Sequence, residues 1–211
     1  MKDIASLSIE DFLEELGSSS ATPGGGSASA LCASIAARLT QMVASLTIGR
    51  PRFEDAWEEM TLAEEKGKAL SGEFLELAMK DSEAYDLFMK ALSLPKDNDQ
   101  EKTRRKNSMQ EALKQSTLVP LRTLELAGEL VANSLVVAEK GNPNAITDAG
   151  VSALLADAAA RGAAMNAKIN LASIEDSAFV QDSLRRVEAE LKELETEVQK
   201  VLAIVSSKLP R

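Results

Sequence analysis

The sequence contains no histidine, and this absence limits the chemistry open to the protein. Histidine is the usual base beside a nucleophilic serine or cysteine and the commonest ligand of catalytic zinc, so both kinds of site are disfavoured. Acid–base catalysis must then come from Asp, Glu, Lys or Tyr side chains, or from groups on a substrate. We therefore expect no catalytic triad and no metal centre.

Cysteine and basic residues are also scarce. The single cysteine, Cys32, excludes an internal disulfide, and its apolar neighbours favour a core role over that of a nucleophile. Lys and Arg number 24 against 33 Asp and Glu, and the net charge of −9 offers no electrostatic footprint for nucleic acid or anionic membrane. The N-terminus lacks the basic and apolar regions of a signal peptide. These features predict a cytoplasmic protein with no nucleic-acid or membrane partner.

The alternating pattern typical of strands is missing, and apolar residues recur instead at intervals of three and four. The last segment carries a heptad seam, which indicates a long helix packed within a bundle or against a partner. We predict an all-α, single-domain bundle over residues 1–211, with about six mostly long helices. Their expected positions are Ser8 to Gly17, Ala28 to about Gly49, Phe53 to Leu92, a helix kinked at Pro120, Ala149 to about Leu171, and Val180 to Leu209.

A glycine-rich turn leads into the second of these helices, which is rich in alanine. This helix is long enough to cross a bilayer, but polar residues interrupt its apolar surface, so we interpret it as a buried helix. Gly24, Gly25 and Gly26 precede Ser27 at its start. Three glycines in a row suit a place where the backbone must approach another group closely. Two interpretations are open: an anion site at the helix N-terminus, or a tight turn that lets the helix pass close to its neighbours.

Asp81 interrupts an apolar face of the third helix, four residues before Tyr85. A carboxylate on such a face lowers the stability of the fold unless it is hydrogen-bonded, paired with a positive charge or needed for function. It is either a structural Asp bonded to Tyr85 or another helix, or a desolvated acid–base group of the kind that active sites employ.

Asp148 follows a strong turn signal and falls in the first turn of a second alanine-rich helix, whereas Asn166 and Asn170 share a face near its end. At 1.5 Å per residue, Asp148 and the asparagines are about 27 Å apart, too far to serve one small reacting centre from the same helix. A cluster of basic residues precedes them in the chain, and it is either a solvated helix face or a site for a carboxylated ligand. Its members are Lys102, Arg104, Arg105 and Lys106.

Taken in order, several short motifs resemble the formiminotransferase-cyclodeaminase/methenyltetrahydrofolate cyclohydrolase family over most of the chain. Each motif is weak alone, but the ordered set is specific. The motifs are Thr22-Pro23-Gly24-Gly25-Gly26-Ser27, Asp81 with Tyr85, Leu94-Pro95-Lys96, Arg105, Gln110-Glu111-Ala112 with Val119-Pro120, Gly141-Asn142-Pro143-Asn144, Asp148, and Asn166 with Ile169-Asn170-Leu171.

The resemblance implies a homodimeric, all-helical enzyme of folate one-carbon metabolism that needs no cofactor. Two reactions are known in the family, and both pass through the cationic methenyl-tetrahydrofolate. A cyclodeaminase closes a formimino group onto the anilino nitrogen and releases ammonia, whereas a cyclohydrolase interconverts the methenyl and formyl compounds with water. We favour the cyclodeaminase, with the cyclohydrolase as the alternative, and a non-catalytic helical interaction module as an alternative of another class.

Site roles follow from this chemistry. A carboxylate stabilises the amidinium-like methenyl cation and can carry a proton, which makes Asp81 and Asp148 the catalytic candidates, with Tyr85 orienting Asp81. Lys96 and Arg105 are expected to hold the anionic glutamate tail of folate. The glycine turn with Ser27 is expected to hold a carboxylate or the pterin carbonyl. The side chains expected to read the pterin edge are Asn144, Asn166 and Asn170.

Overall fold

Residues 4–210, described by a computed structural model, form six α-helices and three short 3-10 segments, with no strand among them. The α-helices are α1 (Ile9–Leu16), α2 (Gly25–Ser45), α3 (Trp57–Leu92), α4 (Asp99–Lys140), α5 (Ile146–Leu171) and α6 (Ser177–Lys208). The all-α prediction and the number of helices are therefore confirmed.

Most helix ends follow from local sequence. The Ser8 side chain accepts a hydrogen bond from the Asp11 N–H at the start of α1, and Gly17 closes that helix. Helices α2, α5 and α6 each start about one turn earlier than predicted, and the end of α2 and the start of α3 also differ by about one turn. Helix α2 stops at Ser45, and turns continue to Gly49, whose φ of 75° is a backbone conformation that favours glycine. Helix α3 begins only at Trp57, because the chain from Pro51 to Ala56 forms a 3-10 helix.

Pro120 lies inside α4, and the helix continues through it, as predicted. Proline removes one backbone donor from a helix, so the surrounding packing must compensate for the lost hydrogen bond. Pro120 is buried among Thr117, Leu121 and Leu124, which are also buried. The tertiary packing of α4 thus outweighs the local helix-breaking tendency.

Helix α2 lies between α3 and α5 and runs antiparallel to both. Ser27 faces Ser82 and Ser34 faces Ser71 across the α2–α3 contact, so the residue numbers rise on one helix as they fall on the other. Ala33, Ala36 and Ala37 of α2 are fully buried, as are alanines of α5. The predicted close packing of the two alanine-rich helices is therefore confirmed, and it fixes the start of α2 against the end of α5.

The heptad seam of α6 packs within the chain, against α4 and α5. Val187, Leu194 and Val201 are buried at this contact. The heptad seam allowed packing within the bundle or against another protein, and the structure shows packing within the bundle. No helix within residues 4–210 is both long and apolar enough to cross a membrane, in agreement with the interpretation of α2 as a buried helix.

Candidate active site

A cavity of about 370 Å³ opens where the start of α2 meets the later turns of α3, the middle of α4 and the end of α5. Its lining combines apolar side chains with a few polar groups, the composition expected of a small-molecule site. Its lining residues are Ala21, Thr22, Gly24, Gly25, Gly26, Asp81, Tyr85, Phe88, Leu113, Ser116, Asn166, Ile169, Asn170 and Ser173.

The glycine turn brings the backbone of α2 against a carboxylate of α3. Gly24 precedes the helix in extended conformation, and Gly25 and Gly26 form its first turn. A Cβ atom placed on Gly26 would lie only 2.2 Å from Oδ1 of Asp81, so no larger residue fits without moving the carboxylate. The positive end of the α2 dipole therefore faces a negative group of the protein itself.

Asp81 is half-buried and is held by the residue after the glycines. The Ser27 hydroxyl donates a hydrogen bond to Oδ2 of Asp81 over 2.9 Å. Burial raises the pKa of Asp81 above its ordinary value, while the Ser27 hydroxyl and backbone N–H lower it by a smaller amount. Asp81 is thus a desolvated carboxylate whose ionised form is stabilised from α2, and its observed hydrogen-bond partner is Ser27 rather than Tyr85.

The apolar face of α3 changes its role at Asp81. Before this residue, Phe74, Leu77 and Ala78 are buried in the core. After it, Tyr85 and Phe88 lie along the cavity, and Tyr85 is 39% exposed. The periodicity that suggested one continuous buried seam therefore continues into the wall of an open site.

Asn166 and Asn170 both line the cavity from α5, as the shared face predicted. The amide nitrogen of Asn166 donates to the Gly162 carbonyl over 2.9 Å, and that of Asn170 donates to the Ser116 carbonyl over 3.0 Å. With the nitrogens bonded to the protein, the Oδ1 atoms are the amide groups that can accept hydrogen bonds from a ligand.

Five predicted site residues do not line this cavity. Ser27 is fully buried directly behind Asp81, to which it is hydrogen-bonded, and the other four lie further away. Asp148 and Asn144 lie at the opposite end of α5, in its first turn and just before it. Lys96 is exposed in the segment between α3 and α4, and the Nε of Arg105 donates to the carbonyl of Leu92, the last residue of α3. Within one chain, the structure thus joins Asp81 to the glycine turn, Ser27, Tyr85, Asn166 and Asn170, and leaves the remaining four elsewhere.

Ser82 and Ser116 were missed by sequence reasoning. Ser82 is 1% exposed, and its Oγ lies 3.3 Å from that of Ser27, directly behind the bond to Asp81. Ser82 could have been found from the sequence, because it is a polar residue directly after Asp81 on α3. Ser116 has no such signal, because its contribution is a backbone carbonyl that fixes Asn170.

The only cysteine is a structural residue in this arrangement. Cys32 is half-buried, and its thiol donates to the carbonyl of Leu155 on α5 over 3.5 Å. Burial raises the pKa of the Cys32 thiol, which disfavours the thiolate. No group of three or more cysteine and acidic side chains within residues 4–210 is arranged to hold a metal ion.

The sequence profile described as Formiminotransferase-cyclodeaminase matches residues 8–189. The chain belongs to this family. A methenyltetrahydrofolate cyclohydrolase of Methylorubrum extorquens is 39% identical over 201 residues, which are 95% of this chain and 97% of that protein. The formimidoyltransferase-cyclodeaminase of Mus musculus is 30% identical over 98% of this chain, a match that spans 38% of the mouse protein.

A solved structure shares the fold. The crystal structure of formiminotetrahydrofolate cyclodeaminase from Thermotoga maritima superposes with a TM-score of 0.88 at 27% identity, covering 97% of this chain and 98% of that one. The family predicted from the glycine turn and the later motifs is confirmed, and with it the prediction of an enzyme from a family of folate cyclodeaminases and cyclohydrolases.

Proposed function

We propose that this protein is a folate enzyme that acts on the one-carbon unit bridging the pterin ring and the anilino nitrogen of tetrahydrofolate. The single observation that carries the proposal is Asp81, a half-buried carboxylate held by Ser27 at the wall of a cavity. In a chain of this family, it is the group placed to meet a cationic methenyl centre.

The chemistry needs a carboxylate that changes its protonation state. The methenyl group is an amidinium-like cation, and a desolvated carboxylate stabilises it more strongly than water does. Burial raises the pKa of Asp81, and a bound cation would lower it again, so one group can accept a proton and return it during turnover. Tyr85 lies one helical turn further along the same wall.

The pterin edge and the glutamate tail have separate candidates. Asn166 and Asn170 present acceptors to the N–H groups of a pterin ring. Arg105 contacts Leu92, which is eleven residues beyond Asp81 and thus about 16 Å further along α3. We assign Lys96 and Arg105 to the anionic tail, because they lie in the direction in which the apolar wall of Tyr85 and Phe88 continues.

Two reactions share this centre. Formimino-tetrahydrofolate cyclodeaminase was favoured from the sequence, and the Thermotoga maritima structure carries that activity in its name. The cyclohydrolase has its own specific support, because the Methylorubrum extorquens protein named for it is 39% identical and matches nearly end to end. Hydrolysis of the methenyl compound is therefore the first reaction to assay.

The test is an absorbance assay of methenyl-tetrahydrofolate, run separately from formimino-tetrahydrofolate and from the methenyl compound, with ammonia measured in parallel. Methenyl formation with ammonia release identifies a cyclodeaminase, and loss of methenyl absorbance without ammonia identifies a cyclohydrolase. A well-folded protein that binds neither folate would contradict the proposal and favour a non-catalytic interaction module.

We further propose that the protein works as a homodimer through the outer face of α2 and α5. The two helices pack side by side, and each leaves apolar side chains exposed on the face away from the core. Met165 is 70% and Ile169 is 69% exposed. The other members of this α2–α5 face are Ile35, Met42, Leu46, Val151 and Leu154. An apolar patch drawn from two adjacent helices is typical of a surface that a second copy covers.

A further inference from the structure

Two buried serine pairs join α2 to α3, and they differ in what lies beyond them. The Oγ atoms of Ser34 and Ser71 are 2.9 Å apart, and the Ser34 hydroxyl also reaches the Ser71 carbonyl over 3.0 Å. Ser27 and Ser82 form the second pair, two turns earlier on α2 and three turns later on α3, at an Oγ separation of 3.3 Å. The second pair is hydrogen-bonded to a carboxylate, that of Asp81, whereas the bonds of the first pair join the two serines alone.

The direction of the hydrogen bond in the second pair follows from proton counting. An ionised carboxylate only accepts hydrogen bonds, and a serine hydroxyl has one proton to donate. The Ser27 proton is used on Oδ2 of Asp81 over 2.9 Å. The bond between the two serines must then be donated by Ser82, so the protons point in series from Ser82 to Ser27 to Asp81.

We propose that Ser82 is a positioning residue for the reaction: it fixes the Ser27 hydroxyl so that Asp81 is held in either protonation state. The assignment of Asp81 rests on the proposed function. When Asp81 gains a proton, it can donate to Ser27, and Ser27 can then donate to Ser82. Both hydroxyls rotate, no O–H bond of either serine breaks, and the Oγ atoms of Ser27 and Ser82 remain hydrogen-bonded to each other in both states.

The surroundings of Asp81 leave this chain of hydroxyls as its main polar support. Helix α2 presents Gly26 together with the hydroxyl and the backbone N–H of Ser27, of which the hydroxyl lowers the pKa of Asp81 more, and α5 presents Asn166. Among the described residues that line the cavity, Tyr85 is the one other titratable side chain. Hydrogen bonds to a charged group are stronger than neutral ones, and a donor that is itself hydrogen-bonded is polarised further. Loss of Ser82 should therefore weaken the ionised form of Asp81 more than the neutral form.

The test is the titration of the Asp81 side-chain carboxyl carbon by NMR, assigned from the signal that Asp81→Asn removes. Ser82→Ala is expected to raise the midpoint of this titration, and the acidic limb of the kcat/KM profile should move with it. Ser71→Ala is the matched control, because it removes a buried serine partner between the same two helices without touching Asp81. Its midpoint should equal that of the wild type.

Ser82→Cys keeps a weaker donor of similar size and should give an intermediate midpoint, which keeps the test available if Ser82→Ala fails to fold. Equal midpoints for the wild type, Ser82→Ala and Ser82→Cys would overturn the proposal, as would an equal displacement in Ser71→Ala. The NMR readout needs no turnover. A protein that has no folate activity but shows the displaced titration would contradict the proposed function and leave the hydrogen-bond series intact.

Discussion

At the scale of single residues, Asp81 combines two features that seldom occur together. It lies at the point on α3 where the face that builds the core becomes the lining of a cavity, so its carboxylate is half-buried and still borders open space. Gly26 gives it room and Ser27 binds it. A carboxylate that needed only burial and pairing would have no reason to border open space, which is why we assign it to the chemistry.

Asp81→Asn tests that assignment directly. The change keeps the size of the side chain and an acceptor for Ser27 but removes the charge and the titrating proton, so we expect kcat to fall about 100-fold or more. The matched control is Asp86→Asn, a half-buried Asp on the same helix that does not line the cavity. Wild-type turnover in Asp81→Asn would transfer the role to Asp148. Loss of activity together with loss of the folded protein would make Asp81 structural.

The stability of the same variant should depend on pH. The folded-state pKa of Asp81 is raised above the unfolded value of about 4, so its ionisation opposes folding. The opposition is absent below the unfolded pKa and is complete once the pH has risen through the folded pKa. Relative to the wild type, the free energy of unfolding of Asp81→Asn should therefore increase from acid to neutral pH, measured by urea unfolding at one protein concentration. A difference that shrinks over this range would contradict the raised pKa.

At the scale of helices, the sequence predicted how many helices form more accurately than it predicted where each helix begins and ends or which helices lie beside it. The alanine content of α2 and α5 indicated that these helices pack closely. The heptad period of α6 indicated that one of its faces is packed. The periodicity could not indicate where the α3 face leaves the core, because the buried Ala78 and the exposed Tyr85 are about two helical turns apart and occupy equivalent positions on that face. Which helix faces Tyr85 depends on how α4 and α5 pack against α3. The residue pattern of α3 alone does not contain this information.

The end of α3 carries a contact of Arg105, one of the two residues that we propose for the glutamate tail. Arg105 lies on α4, but its guanidinium reaches back to the Leu92 carbonyl at the end of α3. This bond satisfies one of the last carbonyls of a helix while keeping a positive charge near the apolar wall of the cavity. The contact joins residues of two different helices across the turn between them, so the periodicity within either helix could not predict it.

Arg105→Ala should weaken substrate binding more than turnover. We expect a rise in KM equivalent to about 1.5–3 kcal/mol, the scale of a hydrogen bond to a charged group, with a smaller change in kcat. Arg104→Ala removes the same charge from the exposed neighbouring position and serves as the control. Steady-state kinetics with a folate that lacks the glutamate tail should show no difference between Arg105→Ala and the wild type. A collapse of kcat at constant KM would instead assign Arg105 to the transition state.

At the scale of the whole molecule, the exposed apolar α2–α5 face is the observation that supports the proposed homodimer. Leu154→Asp, in the middle of that face, should abolish the homodimer, because a charge would be buried against a second copy. Leu62→Asp is the control, since Leu62 is equally apolar and exposed but lies on α3. Light scattering at micromolar concentration measures the outcome. A well-folded wild-type monomer under these conditions would remove the dimer from the proposal.

The position of Asp148 leads to the last prediction. In one chain it lies about 27 Å along α5 from Asn166, so it can act on the substrate only from a partner. The exposed large apolar residues of α5 run from Val151 to Ile169. An antiparallel contact between two copies of α5 would set the start of one helix beside the end of the other.

If Asp148 acts across the dimer, each active site combines Asp81 of one copy with Asp148 of the other. Asp81→Asn and Asp148→Asn should then each be inactive alone. Co-folded in equal amounts, half of the dimers are mixed, and each mixed dimer has one site with both carboxylates, so about a quarter of wild-type activity should return. An active Asp148→Asn variant would exclude Asp148 from the chemistry. Two inactive variants that stay inactive when mixed would contradict an active site shared between the two copies.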